Sequence, residues 1–181
     1  GGIRVPCLIQ WPKIIPPGTV SGQPSIMMDA SVTVLEAGGA RKFVPKDRKL
    51  DGVNLLPFLT SKAEVDPANR TFGWRRRDWG ATGNYLRQEA YRSGHWKLIR
   101  TYKYLRNKKW SAEYNDELFN LGQDIGEVEN LAGKMPGKYQ EMKRGFDQWK
   151  TEVVNLEPDF FIPLRDQLGS PANLSDDIVL E

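Results

Sequence analysis

Among its 181 residues the chain has one cysteine, Cys7, and one histidine, His95. A single thiol excludes an internal disulfide and any cysteine-rich metal site. A single imidazole excludes a histidine-rich metal site, and a Ser-His-Asp triad would have to be built on a hairpin turn, where His95 reads better as an exposed residue. No apolar run approaches the roughly 20 residues that span a bilayer. Strong charge of one sign is missing too: 26 Lys and Arg against 23 Asp and Glu leave a net charge of +3, too mild to argue for nucleic acid. The acidic residues Asp124, Glu127 and Glu129 lack the alternation and closing Glu of an EF-hand and read as a capped turn.

What is present supports a core. With 39% hydrophobic residues, the chain has material for one ordinary domain or one and a half small ones, and it is globular in character. Its opening looks like the interior of a fold. Gly1-Gly2 runs into Val5 to Trp11, a stretch with the length and apolar character of a buried strand, which Pro12, Pro16, Pro17 and Gly18 then end. In such a strand Cys7 would be a buried, inert thiol and Arg4 would need an acidic partner. With no initiator Met or signal ahead of it, this opening predicts a fragment, one whose unpaired apolar strand would make the isolated chain aggregate.

Further along, Asp29 reads as the N-cap of a helix over Ala30 to Ala37, stopped by Gly38-Gly39. Arg41 to Asp51 reads as a charged loop and Val53 to Thr60 as a short apolar helix or turn. Lys62 to Asn69, polar and containing Pro67, is the expected boundary. Beyond it the period changes to that of strands: Thr71 to Arg77, Gln88 to Arg92, Trp96 to Tyr102 and Glu117 to Leu121, with Ser93-Gly94 as a tight hairpin turn. Lys103 to Asn115 reads as a long, basic, aromatic loop. Pro136 opens a helix on which Tyr139, Met142, Phe146, Trp149 and Val153 form one apolar stripe. A stripe of that kind needs a surface to cover, so the economical architecture for Arg70 to Val154 is a four-stranded antiparallel sheet packed by one amphipathic helix. The tail after Asn155, with Pro158, Pro163 and Pro171, has no sustained period. Asn69-Arg70-Thr71 and Asn173-Leu174-Ser175 fit the glycosylation pattern, which is common by chance.

Several strings, in order, carry a resemblance. They are Gly1-Gly2-Ile3-Arg4-Val5-Pro6 leading to Trp11-Pro12; Ile26-Met27-Met28-Asp29 leading to Val34-Leu35-Glu36-Ala37-Gly38; Leu50-Asp51-Gly52-Val53-Asn54-Leu55-Leu56-Pro57-Phe58-Leu59; Arg70-Thr71-Phe72-Gly73-Trp74-Arg75; Ala90-Tyr91-Arg92-Ser93-Gly94-His95-Trp96-Lys97-Leu98-Ile99; and Glu117-Leu118-Phe119-Asn120-Leu121 with Asp124, Glu127 and Asn130-Leu131-Ala132. Together they resemble the sulfatases of the alkaline-phosphatase-like superfamily, from just after the last active-site motif of that family. Val32, Ile125 and His95 depart from the pattern, the first two at positions where the family usually has Pro.

The resemblance implies an α/β with α+β fold. Residues 1–69 would be the end of an alkaline-phosphatase-like mixed-sheet domain, 70–154 the small C-terminal subdomain, and 155–181 an irregular tail. It implies the C-terminal portion of an enzyme that hydrolyses a sulfate ester. The family works with a formylglycine made from Cys or Ser in a Cys-x-Pro-Ser-Arg type motif and with Ca²⁺ held by Asp and Asn. Cys7 is not in such a motif, so the resemblance assigns no catalytic or metal residue here, and the chain alone is expected to be inactive and to bind neither group. Its implied partners are the upstream part of the same enzyme and a sulfated small molecule or glycan, and no membrane; a typical member is exported.

From the residues themselves, Trp74, Arg75 and His95 are the candidate substrate-binding side chains, with Arg76 and Arg77 behind them. An arginine fork beside an aromatic surface can recognise an anionic sugar through bidentate bonds and stacking. Strand alternation puts Arg75 and Arg77 on one face and Trp74 and Arg76 on the other, so at most one pair can line a cleft. The competing reading is a non-catalytic module that binds an anionic glycan or single-stranded nucleic acid through this basic hairpin and the Tyr104 and Trp110 loop.

Overall fold

The computed structural model describes residues 3–60, 70–79, 85–104 and 110–154. Helix α1 (Met27–Ala37), a 3-10 turn (Arg41–Phe43) and the short helix α2 (Leu56–Leu59) precede four strands, β1 (Thr71–Trp79), β2 (Tyr85–Ser93), β3 (Trp96–Tyr104) and β4 (Trp110–Asn120), and a closing helix α3 (Pro136–Val154). The strands form one antiparallel meander in the order β1-β2-β3-β4. Between β2 and β3, Ser93 pairs with Trp96, which leaves Gly94-His95 as a two-residue turn. Gly94 sits there at φ 57°, the left-handed conformation such turns require.

Register and alternation decide what meets α3. On one face Tyr91, Leu98 and Leu118 lie side by side across β2, β3 and β4, and Met142 and Phe146 of α3 close over them. Leu98, Leu118 and Phe146 are fully buried, with Trp96, Tyr139 and Trp149 packed around them. The expected stripe on α3 thus covers the expected sheet. At the β1 edge Gly73 takes the place a larger residue would occupy, directly under Trp149.

The N-terminal part is tied to this unit through Asp29, which is completely buried. Its carboxylate accepts both Nη groups of Arg70 at 2.8 Å, the Ile26 N–H at 2.8 Å and the Val53 N–H at 2.9 Å. Burial alone would raise this carboxyl, but the Arg70 fork and the two backbone donors hold it below its ordinary value. Thr33 adds a second tie, donating to the Asp29 carbonyl and accepting the Leu55 N–H.

The structure corrects several expectations. Val5 to Trp11 is not a strand, and Val5 and Leu8 are exposed. A strand needs a neighbour for its backbone groups, and the four described strands pair only with each other. With no covering layer, Cys7 is exposed rather than buried, and Arg4 is exposed rather than paired in a core. Helix α1 begins at Met27, so Asp29 lies in its first turn and reaches back to the Ile26 N–H instead of capping as the residue before the helix. Most of the expected loop over Lys103 to Asn115 is strand: Tyr102 pairs with Tyr114 and Tyr104 with Trp110, across a register shift. The Tyr102 and Tyr114 rings meet edge to face at 6.1 Å between centroids, a cross-strand contact that outweighs the local run of charge. The expected boundary over Lys62 to Asn69, the tail 155–181, and Asn173 lie outside the described residues.

Candidate functional site

The three side chains singled out from the sequence do not converge. Trp74 is half-buried on the face away from α3, stacked on Phe72 at 5.8 Å between ring centroids. Arg75 points the other way, and its Nε donates to Glu89 Oε1 at 3.2 Å. His95 is exposed in the β2–β3 turn, beside the Thr71 end of β1, whereas Arg75 lies mid-strand; the His95 ring sits against Gly122. The opposite-face expectation for Trp74 and Arg75 holds, because β1 is regular over both.

What the structure does bring together is a row of charge beneath α3. Register places Arg75 beside Glu89, Glu89 beside Arg100, and Arg100 beside Asp116, one residue from each strand. The signs alternate, and Glu89 and Arg100 are almost wholly buried. Arg100 donates to both Asp116 oxygens at 2.7 Å and lies 3.4 Å from Asp147, while its guanidinium stacks over Tyr114 and Phe146. Tyr139 donates its hydroxyl proton to Asp116, and with burial this pushes the phenol up to about 12. Charges at inward strand positions are costly unless paired, and each of these four is paired with its neighbour.

Glu89 is the most crowded member. Oε1 accepts from Arg75 Nε and from Arg87 Nη2 at 3.0 Å, and Oε2 accepts the Tyr102 hydroxyl at 2.7 Å and lies 3.2 Å from Lys150 Nζ. Burial raises the carboxyl, but the bonds from Tyr102 and Arg87 and the charges of Arg87 and Lys150 win, holding it down to about 2 against an ordinary 4.5. Because the folded value is the lower one, its stabilisation is complete above pH 4.5 and is lost as pH falls through about 2. Urea unfolding followed between pH 6 and pH 2 should show that loss at roughly 3 kcal/mol. The same series on Glu89→Gln should be flatter; identical slopes would remove Glu89 from the acid limb. Sequence reading missed this row because it ranked strands by apolar alternation. The signal was there: Glu89, Arg100 and Asp116 share the parity of Tyr91, Leu98 and Leu118.

A second buried pair lies on the other face, where Lys97 Nζ donates to both Glu127 oxygens at 2.7 Å. Asp124 accepts the N–H groups of Val128 and Glu129, and Asn130 accepts those of Leu118 and Ala132. The acidic stretch after β4 is therefore a capped turn pinned to the sheet. Among the described residues no group of three or more His, Cys, Asp or Glu is placed to hold a metal ion. No described helix is long and apolar enough to cross a membrane.

Residues 1–155 match the family model of the N-sulphoglucosamine sulphohydrolase C-terminal region. The chain belongs to the sulfatase family. This sulfatase chain is 35% identical over 166 residues to an ulvan-active sulfatase of Formosa agariphila, covering 88% of the chain and 28% of that relative. It is 44% identical over 64 residues to the steryl-sulfatase of Mus musculus, covering 35% of the chain and 10% of the relative. The fold has the same kin. BT4656, solved in complex with its substrate D-glucosamine-2-N,6-O-disulfate, superposes with a TM-score of 0.60 at 23% identity, over 83% of the chain and 28% of that protein. The chain spans between a tenth and a third of the length of these relatives. The meander and α3 are thus a sulfatase C-terminal subdomain, as the sequence implied.

Proposed function

We propose that the protein to which this chain belongs hydrolyses sulfate esters carried on sugars, and that this chain supplies its C-terminal sheet and helix. The observation that carries the reading is the family match over residues 1–155, supported by relatives named as sulfatases along most of the same span. The neighbour solved with a sulfated glucosamine supports a sulfated glycan as the substrate class. The family implies Ca²⁺ and a formylglycine. The described residues do not fit either group: they hold no metal-binding cluster, and Cys7 lies between Pro6 and Leu8 rather than in a Cys-x-Pro motif. Both groups would come from outside these residues.

Within this reading Trp74 and His95 are the side chains offered to a sugar, one as a partly exposed ring and one as an exposed imidazole. Arg75, the third candidate, is engaged by Glu89. The test is to express the protein with whatever coding sequence precedes Gly1, alongside a formylglycine-generating enzyme, and to measure inorganic sulfate released from sulfated mono- and oligosaccharides. Release by the longer protein and none by the 181-residue chain is the expected result. A longer protein that carries the formylglycine yet releases no sulfate from any sulfated sugar overturns the reading.

A further inference from the structure

The apolar string before and within α2 opens with the chain's one Asp-Gly step, Asp51-Gly52, and the chain has no Asn-Gly step. A carboxyl followed by glycine is the arrangement in which the next backbone nitrogen reaches the side chain most easily, because no Cβ stands in its path. Packing leaves position 52 no larger residue. A Cβ there would lie 2.2 Å from the Met28 carbonyl oxygen and 2.8 Å from the Asp29 nitrogen, backbone atoms of the first turn of α1. Contact with α1 therefore forces the reactive dipeptide on this loop.

Both reacting groups are available. Asp51 is exposed, and its carboxylate has neither hydrogen bond nor ion pair among the described residues. Residues 48–55 form neither helix nor strand, so no ladder claims the Gly52 N–H, and it finds no backbone acceptor among the described residues. The next N–H, that of Val53, is by contrast committed to Asp29 Oδ1 at 2.9 Å. The tie to Asp29 thus holds the nitrogen side of the dipeptide still while the exposed Asp51 carboxyl is free to swing towards it.

We propose that Asp51 is a site of spontaneous isomerisation, and that the isomerised chain releases the Asp29 tie between the N-terminal part and the sheet. The Gly52 nitrogen bonds to Cγ of the protonated Asp51 carboxyl, whose hydroxyl leaves with the nitrogen's proton as water, and a five-membered succinimide forms. Water then opens the ring at either carbonyl. Attack at Cγ restores aspartate. Attack at the original main-chain carbonyl leaves the chain running through Cβ, with that carbonyl now a carboxylate on a side branch. Water is the one co-reactant, lost in the first step and regained in the second. The isomerised main chain is longer by one C–C bond, about 1.5 Å. A displacement of that size carries the Val53 N–H beyond hydrogen-bond range of Asp29, and the Met28 carbonyl against Gly52 blocks the slack from being taken up inward.

The experiment ages the protein, with its upstream sequence, at neutral pH and physiological temperature in heavy-oxygen water, with and without denaturing urea, and then digests it with trypsin in ordinary water. Cleavage after Lys49 and Lys62 releases residues 50–62 as one peptide, in which Asp51 is the one aspartate. A second species of this peptide is expected, eluting apart, carrying the heavy oxygen and resisting a protease that cuts before aspartate. In the folded protein it should accumulate within about tenfold of the rate in urea, since a local motion of an exposed loop is all that separates the two states. Asp51→Glu keeps the charge but would need a six-membered ring, and should give no second species. A folded rate more than about tenfold below the unfolded one overturns the site. Isomerised protein, separated from the rest, should lose hydrogen-exchange protection in α1 and keep it in β2 and β3; unchanged protection in α1 overturns the release of the tie. Sulfate release enters neither readout, so both outcomes leave the hydrolytic reading where it stands.

Discussion

Asp29→Ala should cost about 3–5 kcal/mol, the range for removing one partner of a buried ion pair. The loss goes beyond one contact. Among the described residues Arg70 keeps only the Pro24 carbonyl as acceptor for its fork, and the N–H groups of Ile26 and Val53 lose the oxygens they share. Since Asp29 joins α1, the segment before α2 and Arg70 just before β1, the effect should concentrate there. Hydrogen exchange should show α1 amides losing most of their protection while the amides of β2 and β3 change little. Uniform loss across both parts, or none, would show that Asp29 does not link them. Asp29→Asn is the finer probe: it keeps the shape, removes the charge, and should fall between wild type and Asp29→Ala. The Asp29 contribution is complete above its ordinary value of 3.8 and disappears only as pH falls through the lowered folded value, so neutral and mildly acidic conditions leave the tie intact.

Gly73→Val should destabilise the sheet and α3 by about 3 kcal/mol, at the upper end of the usual range for overpacking. A Cβ at this position would stand 1.9 Å from Trp149 Cε2 and 2.2 Å from its Cζ2, so the indole must leave or the helix must lift. Either move uncovers Phe146, whose ring lies 5.8 Å from that of Trp149 and which is fully buried. The midpoint of thermal unfolding should fall by on the order of 10 °C. Trp149→Leu should restore part of the loss in the Gly73→Val background while destabilising the wild type, a non-additive pair that marks direct contact. Additive effects would mean that the two residues do not touch.

The legible part of the fold came from strong periodicity. Tyr139, Met142, Phe146 and Trp149 recur at helical spacing and do form the buried stripe of α3. Trp96 to Tyr102 alternates, and its inward positions Leu98 and Tyr102 are buried. Of the expected Ser93-Gly94 turn, Gly94 does lie in the two-residue turn, at a positive φ that glycine adopts easily. The illegible part depended on neighbours. Val5 to Trp11 has the character of a buried strand, yet a strand requires pairing, and this segment pairs with none of the four described strands. Asp29 has cap chemistry, but its oxygens are claimed by Arg70, distant in sequence and adjacent in space.

By itself the amino-acid sequence determined the meander, the single covering helix and membership in the sulfatase family, because periodicity and ordered motifs are properties of the chain read in one dimension. Tertiary structure alone decided which charges are functional candidates. Trp74 and Arg75 lie on opposite faces of β1, and His95 lies in the turn beyond β2. Arg87, Glu89, Tyr102 and Lys150 carry no common motif, yet register across β2 and β3 and the docking of α3 gather them around one carboxylate. A charge acquires its meaning from the opposite charges within a few ångströms, and those distances exist only after the sheet has paired and the helix has packed.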